Sequence, residues 1–417
     1  MAFVLVLAYL GLLYTRPQEY LPALDGVPIM PALLGSSFLF WLMRRNKRLD
    51  APQYPLVLAL VAVMIVSKAV QGWLGGIPIM LGNFLPVVVL FVLVSSLTDT
   101  VARHRAFMGL LSACTVFLAV HGIDQREAGI GWSGAELSQG TRITYLGIFN
   151  DPNDLALAFV IVLPMLAYRL ASAKGFLARL LWLAGMGVLL YGIYLTNSRG
   201  GMLSAAAQFL AFSVARWGVV RSAVPAGLGL IGLAALPSRL DSLDADEASA
   251  EGRLEAWYSG LWMLVRQPIF GVGPGNFVEH HYLAAHNAYV LGFAELGLVG
   301  YYFWFSFVAL SFLMVWTASR AMAPPDGRDP EAWESHRAIA RVYLLSMMGY
   351  LIGIFFLSRT YNPLLFMMCA LAVAIFQSMR QGWPSFAPIR FKAWAFPLLV
   401  LEGASIVFLF VTVKILL

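Results

Sequence analysis

Two neighbouring stretches decide the fold: GRLEAWYSGLWMLVRQPIFGVGPGNF, residues 252–277, and HNAYVLGFAELGLVG, residues 286–300. The first begins as a helix too polar to cross a bilayer and breaks at a run of glycines; a short tail with His280 and His281 follows. The second passes through His286 into an apolar helix long enough for a ~30 Å hydrocarbon core. A polar helix lying outside and an apolar one running in is the pattern of a membrane protein.

The rest of the chain agrees. Of 417 residues, 60% are hydrophobic and 12% charged, and the mean hydropathy is +0.76. A soluble domain carries about twice that charge. Spans are expected at roughly 2–15, 27–43, 54–70, 79–97, 106–122, 153–170, 180–196, 202–217, 219–236, 287–317, 342–358, 363–379 and 394–416. The expected fold is an all-α polytopic membrane protein of about 13 transmembrane helices with a short outer helical segment. It is one transmembrane domain over 1–417, with an extracytoplasmic helical insertion at 237–286. The alternating short segments of a β-barrel are absent from the sequence.

The net charge of +6 does not indicate nucleic acid. Most Lys and Arg fall in the short loops that become cytoplasmic when the N-terminus is cytoplasmic, RRNKR at 44–48 among them. An odd number of spans then leaves the C-terminus outside. The N-terminus lacks a charged leader and a cleavage site and reads as a retained span. Cys114 and Cys369 lie inside apolar runs, so no disulfide or thiolate site is indicated. Lys68, near the outer end of the third span, is expected to extend its ammonium to the interface. In NDPND, residues 150–154, Asn150 or Asp151 caps the sixth span with Pro152 in its first turn, and capping alone accounts for these residues. The loop 319–341 reads as a solvated connector.

Several outer residues could carry chemistry. Arg199 sits in the tight turn TNSRGG, residues 196–201, where glycines let a large head group approach the backbone; the alternative is an interfacial anchor. In the helix from Arg253 to about Arg266, residues Leu254, Trp257, Tyr258, Leu261, Leu264 and Val265 share an apolar arc, opposed by Glu255, Ser259 and Arg266. Arg253 falls at the edge of that arc, facing a head group, whereas Arg266 points to solvent. GVGPGNF, residues 271–277, reads as a flexible turn, because no strand or lysine gives it the context of a phosphate loop.

His286, at a membrane mouth, can accept a proton from a hydroxyl. Glu279, His280, His281 and His286 match no standard ligand spacing, so no metal site is expected there. Glu295 is expected to pair between helices at membrane depth. Asp244 and Asp246 lie in an acidic stretch, 241–247, that reads as a solvated loop rather than a metal-diphosphate site. Arg359, in the outer turn SRTYNP, is either a further cation at the mouth or an anchor.

In order, GIFNDPNDLA, NSRGG, the arginine helix ending in PIFGVG, and HN opening a span that ends in ELGLVG resemble the O-antigen ligase and polymerase superfamily of bacterial envelope glycosyltransferases. The resemblance covers residues 145–300. It implies a GT-C-like, metal-independent glycosyltransferase of the bacterial inner membrane, without cofactor and with its active site facing the periplasm. The donor implied is a glycan on undecaprenyl diphosphate. The acceptor is lipid A core for a ligase or another glycan for a polymerase. The resemblance assigns catalysis to His286 and diphosphate binding to Arg199 and Arg253, with Arg359, Asn287 and Arg266 as supporting candidates. Protein O-glycosylation is a third acceptor class. A flippase of lipid-linked sugar would place ionisable groups at mid-bilayer, whereas here the cations cluster at outer span ends, Glu295 excepted.

Overall fold

The computed structural model describes residues 1–222, 224, 227, 243–322 and 327–417, with the backbone alone for 243–250. The ninth expected span, 219–236, lies largely outside the described residues, as does Asp241. The helices are α1 (Ala2–Thr15), α2 (Ile29–Leu42), α3 (Gln53–Val70), α4 (Gly76–Leu97), α5 (Val101–Ala128), α6 (Pro152–Ser172) and α7 (Phe176–Leu195). They continue with α8 (Arg199–Trp217), α9 (Leu243–Arg266), α10 (Ala288–Arg320), α11 (Pro330–Gly353), α12 (Pro363–Gly382) and α13 (Phe391–Leu416), with a single unnumbered turn of helix at Phe277–His280 before α10. The described residues contain no strand, only two isolated bridges in the loop after α5. The protein is an all-α polytopic membrane protein, with nine described helices long and apolar enough to cross a bilayer.

Helix α12 is the axis. Its most apolar stretch is 89% buried within the protein, against 17% for α7 and 22% for α13, which therefore form the lipid-facing rim. Helices α4, α10 and α11 pack around α12. Helix α6 is buried almost throughout between α7, α8 and α11. Small residues allow the tightest crossings: a Cβ at Gly201 would stand 2.6 Å from the Ala156 Cβ, and one at Gly349 would stand 2.8 Å from Val160.

Helix ends depart from the sequence reading where polar residues cap or extend an apolar run. The Asp329 side chain accepts from the Ala332 N–H and Pro330 occupies the first turn, so α11 starts twelve residues early. Much of the expected solvated connector 319–341 is therefore helix. Helix α5 likewise continues to Ala128 before Gly129 ends it in the left-handed conformation. Helix α9 starts at Leu243, so most of the expected acidic loop 241–247 has a helical backbone; the side chains of Asp244 and Asp246 lie outside the described residues.

The larger departure is in α10. The expected continuous span is broken at Gly297 (φ 63°, ψ −172°), and the segment before α10 is docked into the break. The N–H groups of Val272 and Gly273 donate to the carbonyls of Ala294 and Glu295, each at 3.0 Å. Beyond the break, the N–H groups of Leu298 and Val299 donate to Pro268 and Ile269 at 2.7 and 3.2 Å. A broken helix at membrane depth is tolerable only when other protein groups satisfy its backbone, and PIFGVG does that here. A Cβ at Gly271 would stand 2.4 Å from the Glu295 backbone, so glycine is required at that contact. The expected flexible turn is thus a fixed backbone graft.

The loops before α3, between α4 and α5, before α11 and after α12 meet at one end of the bundle. Arg380 pairs with Asp50 at 2.7 Å, the Trp383 indole donates to the Arg328 carbonyl, and Ser378 donates to the Asp99 carbonyl. The Arg103 guanidinium lies 5.2 Å over the Phe3 ring, which puts the N-terminus at this end too. His286 opens the opposite end.

Candidate active site

The site is built on the first turn of α6. The Asp151 side chain caps it, accepting from the Asn153 N–H at 2.7 Å, with Pro152 at the first helical position. Asp154, one turn on, is no cap: it is 2% exposed, and both its carboxylate oxygens accept from the Arg359 guanidinium. Asp151 stands 3.9 Å from the same guanidinium. Burial alone would disfavour the charge on Arg359, but Asp154 more than offsets this and holds the arginine protonated, its pKa raised. Arg359 is thus a paired, positioning cation, fixing the turn between α11 and α12 to α6.

That turn holds His286. The Ser358 hydroxyl accepts from the His286 N–H at 2.7 Å. The Thr360 hydroxyl donates to the Ala288 carbonyl at 2.6 Å. His286 adopts φ 47°, a left-handed conformation that costs a non-glycine residue about 1–2 kcal/mol and therefore needs such restraint. Its side chain is half-buried. Burial and then the Arg253 guanidinium push its pKa below the ordinary histidine value, Asp151 pulls it up, and Arg359 pushes it down again. His286 is accordingly neutral near pH 7, the form that accepts a proton.

Arg253 reaches the site because α9 lies against the first half of α10 and the Phe355 turn. The Trp257 and Phe355 rings meet edge to face at 5.3 Å, and a Cβ at Gly260 would stand 2.5 Å from Val290. The buried face runs Gly252, Ala256, Trp257, Gly260, Leu261 and Leu264, small residues at four-residue spacing giving close approach. Tyr258 and Val265, expected within the apolar arc, are exposed. Trp257, Leu261 and Leu264 of that arc are buried as expected, and the close approach at Gly252, Ala256 and Gly260 turns the buried face towards the small residues.

Arg199 is the exposed first residue of α8. Ser198 caps the helix, accepting from the Gly201 N–H at 3.1 Å, and Asn197 is left-handed (φ 49°). The turn borders the site: a Cβ at Gly200 would stand 3.3 Å from Phe356, three residues before Arg359. A guanidinium at the positive end of a helix dipole suits an anion. Arg142, which the sequence reading passed over, ties this turn to α6. It donates to the Thr196 carbonyl and to the Asn153 side chain, each at 2.8 Å.

The structure therefore brings Arg199, Arg253, Arg359 and His286 to one end of the bundle. Asn287 has another task. It is fully buried and caps α10, accepting from the N–H groups of Tyr289 and Val290. Arg266 ends α9, about 20 Å along the helix from Arg253 at ~1.5 Å per residue, and its guanidinium lies 6.0 Å over the Trp262 ring. His281 is engaged with the Leu283 backbone. Lys68 does not extend to the interface. It is 2% exposed and donates to Asn276 at 2.7 Å, helping Ser67 of α3 and Gln71, just past its end, grip the grafted segment. Glu295 does pair across elements, but with backbone, its Oε1 accepting from the Phe277 N–H at 3.1 Å.

Residues 184–305 match the family model described as O-antigen ligase. This stretch contains Arg199, Arg253 and His286, and it supports the resemblance to the O-antigen ligase and polymerase superfamily. The match supports a glycosyltransferase-like function of the ligase or polymerase type acting in polysaccharide biosynthesis, which implies a lipid-linked glycan and a glycan acceptor. No curated protein matches the chain significantly.

Proposed function

We propose that this protein transfers a glycan from undecaprenyl diphosphate to an acceptor hydroxyl, as an O-antigen ligase acting on lipid A core. The observation that carries this reading is the neutral, restrained His286 in the field of Arg253, at the end of the bundle that also holds Arg199. His286 takes the proton of the acceptor hydroxyl as its oxygen attacks the anomeric carbon. The bond from that carbon to the diphosphate oxygen breaks, and the diphosphate leaves on its lipid. Arg199 and Arg253 stabilise the charge that develops there, at a low-dielectric mouth where fixed guanidinium groups act strongly. Backside attack inverts the anomeric centre. No step needs a metal or cofactor.

A cavity of about 440 Å³ supports a lipid-borne donor. It is lined by Leu203, Tyr289, Leu351, Phe355, Phe356 and Phe408, one helical turn from Arg199 and His286. An isoprenoid chain in it would present its diphosphate to Arg199. In this reading the mouth faces the periplasm from the bacterial inner membrane, with the N-terminus cytoplasmic, in line with the basic loops at the other end.

The test is transfer by purified protein from a synthetic undecaprenyl-diphosphate glycan, with lipid A core, a lipid-linked repeat and a protein hydroxyl offered separately. Elongation of lipid A core supports the ligase. Elongation of the lipid-linked repeat alone replaces it by the polymerase, and transfer to protein alone by a protein O-glycosylation ligase. Movement of the intact lipid-linked glycan across a bilayer without transfer would make the protein a flippase and refute the enzyme.

A further inference from the structure

The short segment between the grafted glycines and α10 carries an aromatic ring that the transfer step does not use. Tyr282 is 76% exposed, yet it stands only four residues before His286. Its ring lies on the His281 imidazole, the centroids 4.6 Å apart and the planes at 32°. His281 is itself fixed, its Nδ1 accepting from the Leu283 N–H at 3.2 Å. Leu283 seats the segment on α9, since a Cβ at Gly252 would stand 2.9 Å from its side chain. The Tyr282 hydroxyl would lie 3.9 Å from that same Cβ, one residue from Arg253. Protein thus backs one face of the ring, and the other is open beside the transfer site.

Two exposed carboxylates edge this open face. Tyr282 donates to Glu255 Oε2 at 3.4 Å, longer than a close O–H···O bond and readily exchanged for a ligand hydroxyl. Glu251, one turn back on α9, acts on the same phenol. An exposed tyrosine at a membrane mouth is ordinarily an interfacial anchor, and the neighbouring charges separate the two cases. Farther along α9, the exposed Tyr258 and Trp262 rings meet at 6.2 Å, and the Arg266 guanidinium lies 6.0 Å over Trp262. Aromatic rings with a cation suit anionic head groups. Tyr282 has carboxylates in that place, which repel head-group phosphates. An open aromatic face with anionic acceptors at its edge suits a pyranose. The axial C–H groups of the sugar lie on the negative face of the aromatic ring, and its hydroxyls donate to carboxylate oxygen in charge-assisted bonds.

We propose that Tyr282, backed by His281 and edged by Glu255, is a saccharide subsite that holds one pyranose ring beside Arg253 and His286, an inference that rests on the glycosyltransferase reading and deepens it. The sugar has two sources, the acceptor and the donor glycan. The subsite takes the sugar ring and leaves the diphosphate to Arg199 and Arg253.

Saturation-transfer NMR on the full-length protein in nanodiscs tests this. The probes are core oligosaccharide freed from lipid A and repeat-unit oligosaccharide freed from its lipid diphosphate. Free saccharides bind without any transfer, so failure of the enzyme reading and failure of the subsite read out separately. Tyr282→Ala should weaken binding about tenfold. Tyr282→Phe, which keeps the ring, should bind within about twofold of wild type. Glu255→Gln should lose roughly fivefold. Both side chains are exposed, so unchanged thermal midpoints verify that the variants are folded. Core oligosaccharide bound with these losses identifies the acceptor as the source, and repeat-unit oligosaccharide bound with them identifies the donor glycan. Binding of neither saccharide by wild type overturns the proposal. So does equal binding by wild type and by Tyr282→Ala or Glu255→Gln, or a loss in Tyr282→Phe as large as in Tyr282→Ala.

Discussion

The Arg359–Asp154 pair offers the most quantitative prediction. Asp154 is 2% exposed and gives both carboxylate oxygens to one guanidinium, whose side chain is 27% exposed. Arg359→Ala would strand a buried carboxylate. Breaking a buried pair from one side costs about 3–5 kcal/mol, and the exposed edge of Arg359 points to the lower end, ~3 kcal/mol, more than a hundredfold in the folding equilibrium. Asp154→Asn should cost less, about 1–2 kcal/mol, because Arg359 keeps solvent and Asp151 at 3.9 Å. The double variant should be more stable than the sum of the two losses, with a coupling of roughly 2 kcal/mol. Unfolding in mixed micelles, followed by tryptophan fluorescence, gives all four corners of the cycle. Transfer by folded Arg359→Ala should also fall, because the turn carrying Ser358 no longer restrains His286. Additive losses, or an Arg359→Ala protein as stable as wild type, would refute the pair as the site's frame.

Three further outcomes are expected. The acid limb of the pH profile of kcat/KM should lie below the ordinary histidine value; since Arg253 depresses the His286 pKa, Arg253→Gln should move that limb to higher pH, and Asp151→Asn, removing a charge that raises it, to lower pH. Gly271→Ala should abolish folded protein on size-exclusion chromatography, since its Cβ would meet backbone at 2.4 Å at φ 66°, whereas Gly275→Ala, at φ 79° with open space around it, should cost only about 1–2 kcal/mol. Glu295→Ala should lose roughly 1–3 kcal/mol by stranding the Phe277 N–H, while Glu295→Gln keeps an acceptor and most of that stability, both read as thermal midpoints.

The helices were legible because bilayer thickness sets the length of an apolar run, and Pro152 and Asp151 marked a helix start by local chemistry alone. The break at Gly297 was not, because apolar residues continue on both sides and the partners of the opened backbone come from Pro268 to Gly273. Lys68 read as an interfacial residue for the same reason: Asn276, its partner, is 208 positions away. Asp154 looked like part of a cap, since Arg359 stands 205 positions on and no local pattern joins them. Arg142 sits in an irregular loop with no periodicity to single it out. Arg199 and His286 stood out as polar residues bordering apolar runs, and Arg253 as a cation in a helix too polar to span, but their placement at one end of the bundle depends on how α8, α9 and the turn before α12 pack.

The most direct test of the central claim is the rate of undecaprenyl-diphosphate release by His286→Ala under saturating donor and acceptor at neutral pH. The account predicts a fall of roughly 10²- to 10⁴-fold with an unchanged thermal midpoint. Turnover at the wild-type rate by the folded variant would contradict it.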